Sequence, residues 1–404
     1  MNPHRIAVVG AGMAAARLAR QLQAHSAPED IELTLYGAEP DAPYNRTLLT
    51  EVLTGRYAAV DLPYGPGTTV RTGTEVVALD TDARKIVLAD GEHTAYDSLV
   101  LATGASPVRP ALPGSRTPDG DLLGGVHHLR TLTDCRLLAD AAARAARAVV
   151  IGGGVLGVSA ARALATLGPH VDLVHREPHL MDRHLDAESA AALRHQLTGL
   201  GIGTHLGQRP RALHGTGRVT AVELADGTRL DTDLVLLACG VRPRTHLARA
   251  AGLDVRQGIV VDDRLATSAP GTYALGDCAE HRGVVHGLAD PAWRQADTLA
   301  ALLSGTDPHA RYTGARPLTR LTAGPVQLAA FGDPAAERHG DHEVLRLTDA
   351  TRGTHRKLVR RGDRLAGAVL LGDLATLGDL LAVWQRDEDL PADPLYLIHE
   401  GARP

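Results

Sequence analysis

Apolar positions along the chain follow a strand rhythm and a helix rhythm in turn, and the whole alternation occurs twice. Aliphatic and β-branched runs at 5–10, 31–36, 68–79 and 97–102 read as strands. Residues 12–25 carry Ala and Leu at helical spacing. A second set repeats the order: strand 147–151, helix 155–167, strand 171–175, helix 187–199, a hairpin near 208–230 and strand 233–238. The proline- and glycine-rich stretch 105–120 marks a crossing between the sets, and Gly240-Val241-Arg242-Pro243 marks a second crossing. An apolar strand pair over 257–277 ends in Tyr273-Ala274-Leu275-Gly276-Asp277, with a helix expected at 291–303. From about residue 310 the pattern changes to short strands and a helix near 373–386.

A glycine loop follows the first strand of each set. The first reads Gly10-Ala11-Gly12-Met13-Ala14-Ala15 and the second Gly152-Gly153-Gly154-Val155-Leu156-Gly157. In such a loop the first glycine makes the tight turn and the second lets backbone approach a pyrophosphate. The third position packs helix on strand, and the helix N-terminus offers free N–H groups to phosphate. Two such loops predict two dinucleotides on one chain. The expected fold class is α/β: two Rossmann-like dinucleotide-binding domains, one inserted in the other, plus a small C-terminal α+β domain. The expected boundaries are 1–112 with 241–308, then 113–240, then 309–404.

Composition narrows the function. A chain of 404 residues can bury two or three cores, and one Phe, two Trp and eight Tyr leave those cores to aliphatics. A formal charge of −5 argues against a nucleic-acid partner. No apolar run has the length of a membrane span, and a strand begins too early to leave room for a signal peptide. A cytoplasmic protein with no membrane partner is expected. Cys135, Cys239 and Cys278 form no CxxC, and the 20 histidines show no metal-ligand spacing, so no metal site is expected. Redox chemistry then falls to bound cofactors.

Other candidates gather round the loops. Glu39, beyond the second strand, stands where a carboxylate holds ribose hydroxyls or where a solvated loop residue would. Ala102-Thr103-Gly104 ends a strand and brings backbone close to a cofactor. Gly276-Asp277 ends another, with Asp277 placed to accept from a ribityl chain, to cap a helix, or both. After strand 171–175, His175, Arg176 and Glu177 leave the nicotinamide nucleotide open, because arginine accommodates a 2′-phosphate and a carboxylate favours NADH.

This constellation resembles the FAD- and NAD(P)H-dependent oxidoreductases of the pyridine nucleotide-disulfide type over residues 5 to about 305. Leu129-Arg130-Thr131 is another mark of that family, and Gly37-Ala38-Glu39-Pro40, Pro43-Tyr44-Asn45-Arg46 and Leu180-Met181-Asp182-Arg183 look in particular like the flavin module of assimilatory nitrite reductases. That module also occurs as an electron-transfer subunit of nitrate reductases, and it is similar to rubredoxin and ferredoxin reductases. The resemblance implies that Gly10, Gly12, Met13, Ala14, Glu39, Arg46, Val76, Ala102, Thr103, Gly104, Arg130, Gly276 and Asp277 contact FAD. It implies that Gly152, Gly154, Val155, Leu156, Gly157, His175, Arg176 and Gly240 hold NADH or NADPH.

Three departures bear on function. The segment 40–50 has no cysteine, so the redox thiols of the disulfide and peroxide reductases are missing and electrons must leave the flavin directly. Many relatives pair a lysine with a glutamate beside the two rings, and the corresponding positions here are Glu51 and Ser159. The cysteine-rich domains that follow the module in nitrite reductases are also missing from these 404 residues. No catalytic acid or base is expected, since positioning two rings in contact suffices for hydride transfer. The leading expectation is an enzyme passing electrons from NAD(P)H through FAD to an iron–sulfur or haem-type acceptor protein. An NAD(P)H oxidase or diaphorase, and a non-enzymatic FAD-bound redox sensor, are the competing classes. The basic run His355, Arg356, Lys357, Arg360, Arg361 and Arg364 is either a docking face for an acidic carrier or an alternating solvent-facing hairpin.

Overall fold

Five parallel strands build the first sheet, in the order Thr272–Ala274, Ser98–Leu101, His4–Val9, Ile31–Tyr36 and Thr68–Arg71. The computed structural model describes residues 3–27, 29–59, 61–316, 318–333 and 341–390. Strand His4–Val9 is central, and the chain reaches its two neighbours in opposite directions, which makes its C-terminal end a topological switch point. Parallel strands covered on both faces must be apolar throughout. Ile6, Val8, Leu33, Leu35, Leu99 and Leu101 are accordingly buried. Helix Met13–His25 buries Ala15, Leu18, Ala19 and Leu22 in the same core and is tied to helix Ala289–Leu303 by Arg17 and Asp297, 2.6 Å apart.

The second sheet is a copy in architecture: Gly203–Leu206, His170–His175, Arg147–Ile151, Leu234–Leu237 and Val126–His127, all parallel. Its central strand Arg147–Ile151 feeds the second glycine loop and helix Val155–Thr166. The chain leaves the first sheet after Leu101 and rejoins it at Thr272. Between the two sheets it passes along an antiparallel ribbon of Ala105–Pro107 and Val241–Pro243. Each unit also carries a three-stranded antiparallel sheet, over 76–95 in the first and 210–231 in the second.

Five antiparallel strands then follow in the order Leu318–Ala323, Val326–Gly332, Arg364–Leu371, Thr354–Arg361 and Glu343–Asp349. Helix Leu377–Arg386 covers one face through Leu377, Leu380 and Trp384, the last stacked on Phe331 with ring centres 4.8 Å apart. Leu321, Ala323, Val326 and Leu328 share a core with Val158, Ala161 and Leu164 of the second loop's helix. The α/β architecture with an α+β third unit is therefore present, while residues 391–404 of the expected third domain lie outside the described residues. No helix among the described residues is long and apolar enough to cross a membrane.

Four expected elements change. The single strand 68–79 is two, because the chain turns through Gly73 at φ +60° and sends Val76–Asp80 into the small antiparallel sheet. The expected pair over 257–277 separates: Ile259–Val261 pairs with Ala279–His281, and Thr272–Ala274 joins the large sheet. The stretch 208–230 is three strands rather than a hairpin. The last helix starts at Leu377, after Asp373 has turned to Arg356.

Candidate functional site

The C-terminal ends of both central strands open into one cleft of about 1740 Å³. The two glycine loops meet it in the same way. Gly10 and Gly152 stand at φ +115° and +118°, and an added Cβ would lie 2.2 Å from the Ala102 carbonyl oxygen and 2.3 Å from that of Ala238. Only glycine fits there. Gly157 is demanded by packing too, since a Cβ would lie 1.7 Å from the Gly152 carbonyl oxygen. Gly12 and Gly154 differ. Their φ values of −89° and −78° are open to any residue, and a Cβ at either would meet nothing within 4 Å. Each is the N-cap of its helix, with no side chain capping the exposed N–H groups. The protein leaves an empty, N–H-lined cradle at both places, the shape and polarity that a pyrophosphate requires.

Every residue marked from sequence as a cofactor contact lines this cleft except Gly157, which lies buried under the second loop, and Glu177 also lies outside the lining. Round the first loop the side chains form a chain of bonds. Glu39 accepts from Arg46 Nη2 at 2.6 Å and from the Tyr44 hydroxyl at 2.6 Å, and Tyr44 in turn accepts from the Leu132 N–H at 2.9 Å. Burial, foremost, pushes the Tyr44 phenol above its ordinary range, so it remains a donor. Arg46 also donates to the Arg130 carbonyl. Arg130 then binds Asp277 Oδ2 at 2.7 Å and donates to the Ala105 carbonyl at 3.2 Å. Asp277 is not a helix cap: it lies in a short 3-10 turn whose N-cap is Leu275, and the next helix begins at Ala289. Thr103 Oγ1 donates to the Arg244 carbonyl at 2.7 Å, joining the strand end to the crossing ribbon.

At the second loop His175 is a structural brace. Its Nδ1 accepts from the Gly153 N–H at 3.0 Å, which puts the neutral ring's proton on Nε2, 3.1 Å from Asp182 Oδ1. Arg176 and Glu177, the two residues that left the nucleotide open, pair with each other at 2.8 Å. Cys239 also lines the cleft, but burial raises its thiol pKa. Cys135, pushed up to about 11 by burial, and Cys278 are buried, and the three thiols are free.

Two sequence readings need correction. The basic run is no single face: His355, Arg356 and Lys357 are buried, with Lys357 2.7 Å from Asp186 and Arg356 bonded to Asp373. Arg360, Arg361 and Arg364 pair with Glu343, Asp341 and Asp389. Nor is Glu51 without a cation. It is buried and bonds Arg162, one helical turn beyond Ser159 on the second loop's helix, with Arg56 3.6 Å away. A buried ion pair thus joins the two helices, with Glu51 but not Arg162 lining the cleft. Sequence reading also missed Arg244, half-buried near Arg130 and Arg46 (burial, then those two charges, depresses its pKa), and its only cue was its place after the second crossing.

Comparison with known proteins follows the same outline. A family model described as pyridine nucleotide-disulphide oxidoreductase matches residues 4–296. The nitrite reductase [NAD(P)H] of Bacillus subtilis (strain 168) is 33% identical over 397 residues, 96% of this chain and 48% of that protein. The chain therefore spans about half the length of that relative. The rubredoxin-NAD(+) reductase of Alcanivorax borkumensis is 32% identical, covering 92% of this chain and 95% of that one. Among solved structures, the covalent putidaredoxin reductase–putidaredoxin complex matches with a TM-score of 0.86 and 27% identity, covering 98% of this chain and 96% of that one.

Proposed function

This chain belongs to the pyridine nucleotide-disulphide oxidoreductase family, and from that premise we propose that it carries electrons from NADH or NADPH, through FAD, to an acceptor protein of the iron–sulfur or haem type. Bound FAD would supply a group that takes two electrons from a nicotinamide and gives them up singly to a protein. The observation that carries the reading is the pair of vacant-Cβ cradles at Gly12 and Gly154, both facing one cleft.

The chain's own residues bind and orient. At the first loop, backbone N–H groups after Gly12 receive the FAD pyrophosphate at the positive end of helix Met13–His25. Glu39 is fixed by Tyr44 and Arg46 and keeps lone pairs for ribose hydroxyls. Asp277, with Oδ2 on Arg130, offers Oδ1 to the ribityl hydroxyls. Met13, Ala14, Val76, Thr103–Gly104 and Gly276 supply the close walls. Gly154 and helix Val155–Thr166 receive the nicotinamide nucleotide's pyrophosphate, with Gly240 and Arg176 at the rim. The raised thiol pKa values support direct transfer out of the cleft without a cysteine relay. A cytoplasmic setting, and service to nitrate or nitrite assimilation or to a rubredoxin- or ferredoxin-type carrier, go with this reading.

The test is anaerobic mixing of purified protein with NADH and, separately, NADPH, following the visible absorbance of FAD, and then adding oxygen, quinone, ferredoxin or rubredoxin in turn. Reduction by a nucleotide and reoxidation by a protein carrier are expected. Absence of FAD, or no bleaching with either nucleotide, sinks the proposal, and reoxidation by oxygen alone would make the chain an oxidase.

A further inference from the structure

A second concavity, of about 830 Å³, lies where the crossing ribbon meets the first turn of helix Leu132–Ala142. Five arginines line it, Arg109, Arg130, Arg242, Arg244 and Arg249, and its one carboxylate is that of Asp134. That carboxylate is already engaged, with Oδ2 accepting from the N–H groups of Arg130 and Thr131 at 3.0 and 2.9 Å. Arg130 is paired with Asp277, and Arg244 donates from Nε to Ser106 Oγ at 2.8 Å. Among the described residues, Arg109, Arg242 and Arg249 have no ion pair and no side-chain hydrogen bond. A concave wall of like charges with one spent carboxylate has a strongly positive potential.

Arg109, Arg242 and Arg249 are exposed, whereas His128 in the same wall is 7% exposed and both its ring nitrogens are shielded from solvent. The volume is that of a small-molecule site. Guanidinium forks bind phosphate and carboxylate oxygens two at a time, a geometry that Arg109, Arg242 and Arg249 are free to adopt.

We propose that this pocket, which adjoins the cleft at Arg130 and Arg244, is a further ligand site that binds a small multivalent anion carrying phosphate or several carboxylates. The anion bridges the ribbon strands Ala105–Pro107 and Val241–Pro243, through which the chain passes between its two sheets. It is held by Arg109, Arg242 and Arg249.

Calorimetric titration tests it, with sodium pyrophosphate in one arm and citrate in the other, at constant ionic strength. The protein is as purified, with NAD+ and NADP+ in excess so that the second glycine loop is filled. At least one anion binds saturably, and whichever arm responds names the source of the charge. Arg242→Ser and Arg249→Ser are exposed positions that leave folding intact, and each weakens that binding by about tenfold or more. No saturable binding in either arm, or equal affinity in the wild type and both arginine variants, overturns the proposal. FAD content and bleaching are read in the same samples, so a failure of the proposed function shows there and is distinct from a failure of this site.

Discussion

Gly154→Val separates what the fold needs from what a ligand needs. A Cβ at Gly154 would meet nothing within 4 Å and the backbone is at an ordinary φ, so the fold loses only an N-cap preference. Replacing an N-cap by an apolar residue costs about 1 kcal/mol, which lowers Tm by about 2–4 °C in a unit of this size. Gly157→Ala is the contrast. Its methyl would lie 1.7 Å from the Gly152 carbonyl oxygen, and lifting helix Val155–Thr166 off the loop costs about 3 kcal/mol or more. For the ligand the order reverses. An isopropyl group in the cradle keeps a pyrophosphate from the N–H groups, and each charge-assisted bond lost is worth about 1.5–3 kcal/mol, or roughly one to two decades of affinity. Scanning fluorimetry reads the first quantity. The dependence of anaerobic flavin bleaching on NADH and NADPH concentration reads the second. Gly154→Val is expected to melt near the wild type, retain FAD and need at least about tenfold more nucleotide. Bleaching with wild-type concentration dependence would refute the assignment of the second loop, and a Tm as low as that of Gly157→Ala would refute the open-space reasoning.

Three further outcomes are expected. Asp277→Ala, which frees Arg130 and removes the acceptor at the first strand end, emerges from desalting without FAD, whereas Asp277→Asn retains a part; stoichiometric FAD in Asp277→Ala refutes the role. Arg162→Met leaves the buried Glu51 with only Arg56 and costs about 3 kcal/mol, while Glu51→Leu with Arg162→Met together cost less than the sum of the singles. A double-mutant cycle in urea measures this, and additive singles would mean that the pair is not coupled. Burial, foremost, holds the imidazoles of His127, His128, His184, His286 and His355 below their usual pKa. As pH falls through about 6.5 the unfolded chain therefore protonates first, and stability that is full above that value is lost below it. The urea midpoint should fall between about pH 7.5 and pH 5.5, and a flat or rising midpoint over that interval contradicts the burial argument.

Local stereochemistry was legible in the chain wherever a single residue decides it. Gly10 and Gly152 are fixed by a positive φ and a neighbouring carbonyl, and the apolar runs of the two central strands by cover on both faces. Elements were misread where a tertiary partner decides. Nothing within 68–79 says that Thr68–Arg71 will pair with Ile31–Tyr36 and Val76–Asp80 with Lys85–Leu88. The basic run misled for the same reason. Strand Thr354–Arg361 lies between two others, and helix Ala187–Gly199, capped by Asp186, packs on it. Lys357 is therefore a buried partner of Asp186, and His355 meets Ser189 Oγ at 3.0 Å.

The same logic governs the junction of the two dinucleotide units. Position by position, Glu51 and Ser159 look like the loss of an ion pair. On a helix, however, residues three apart share a face. Arg162, one turn beyond Ser159, reaches Glu51 with its guanidinium, and its stem lies 3.4 Å from the Cβ position of Gly324 in the third unit. With Glu51 on the helix Leu49–Leu53, one buried pair ties all three units together. Glu51 also lines the cleft, so the same tie places a carboxylate on its wall. Stability and redox tuning are thereby separable in this chain: Arg162 variants report on the first, and the flavin's midpoint potential in Glu51→Gln reports on the second.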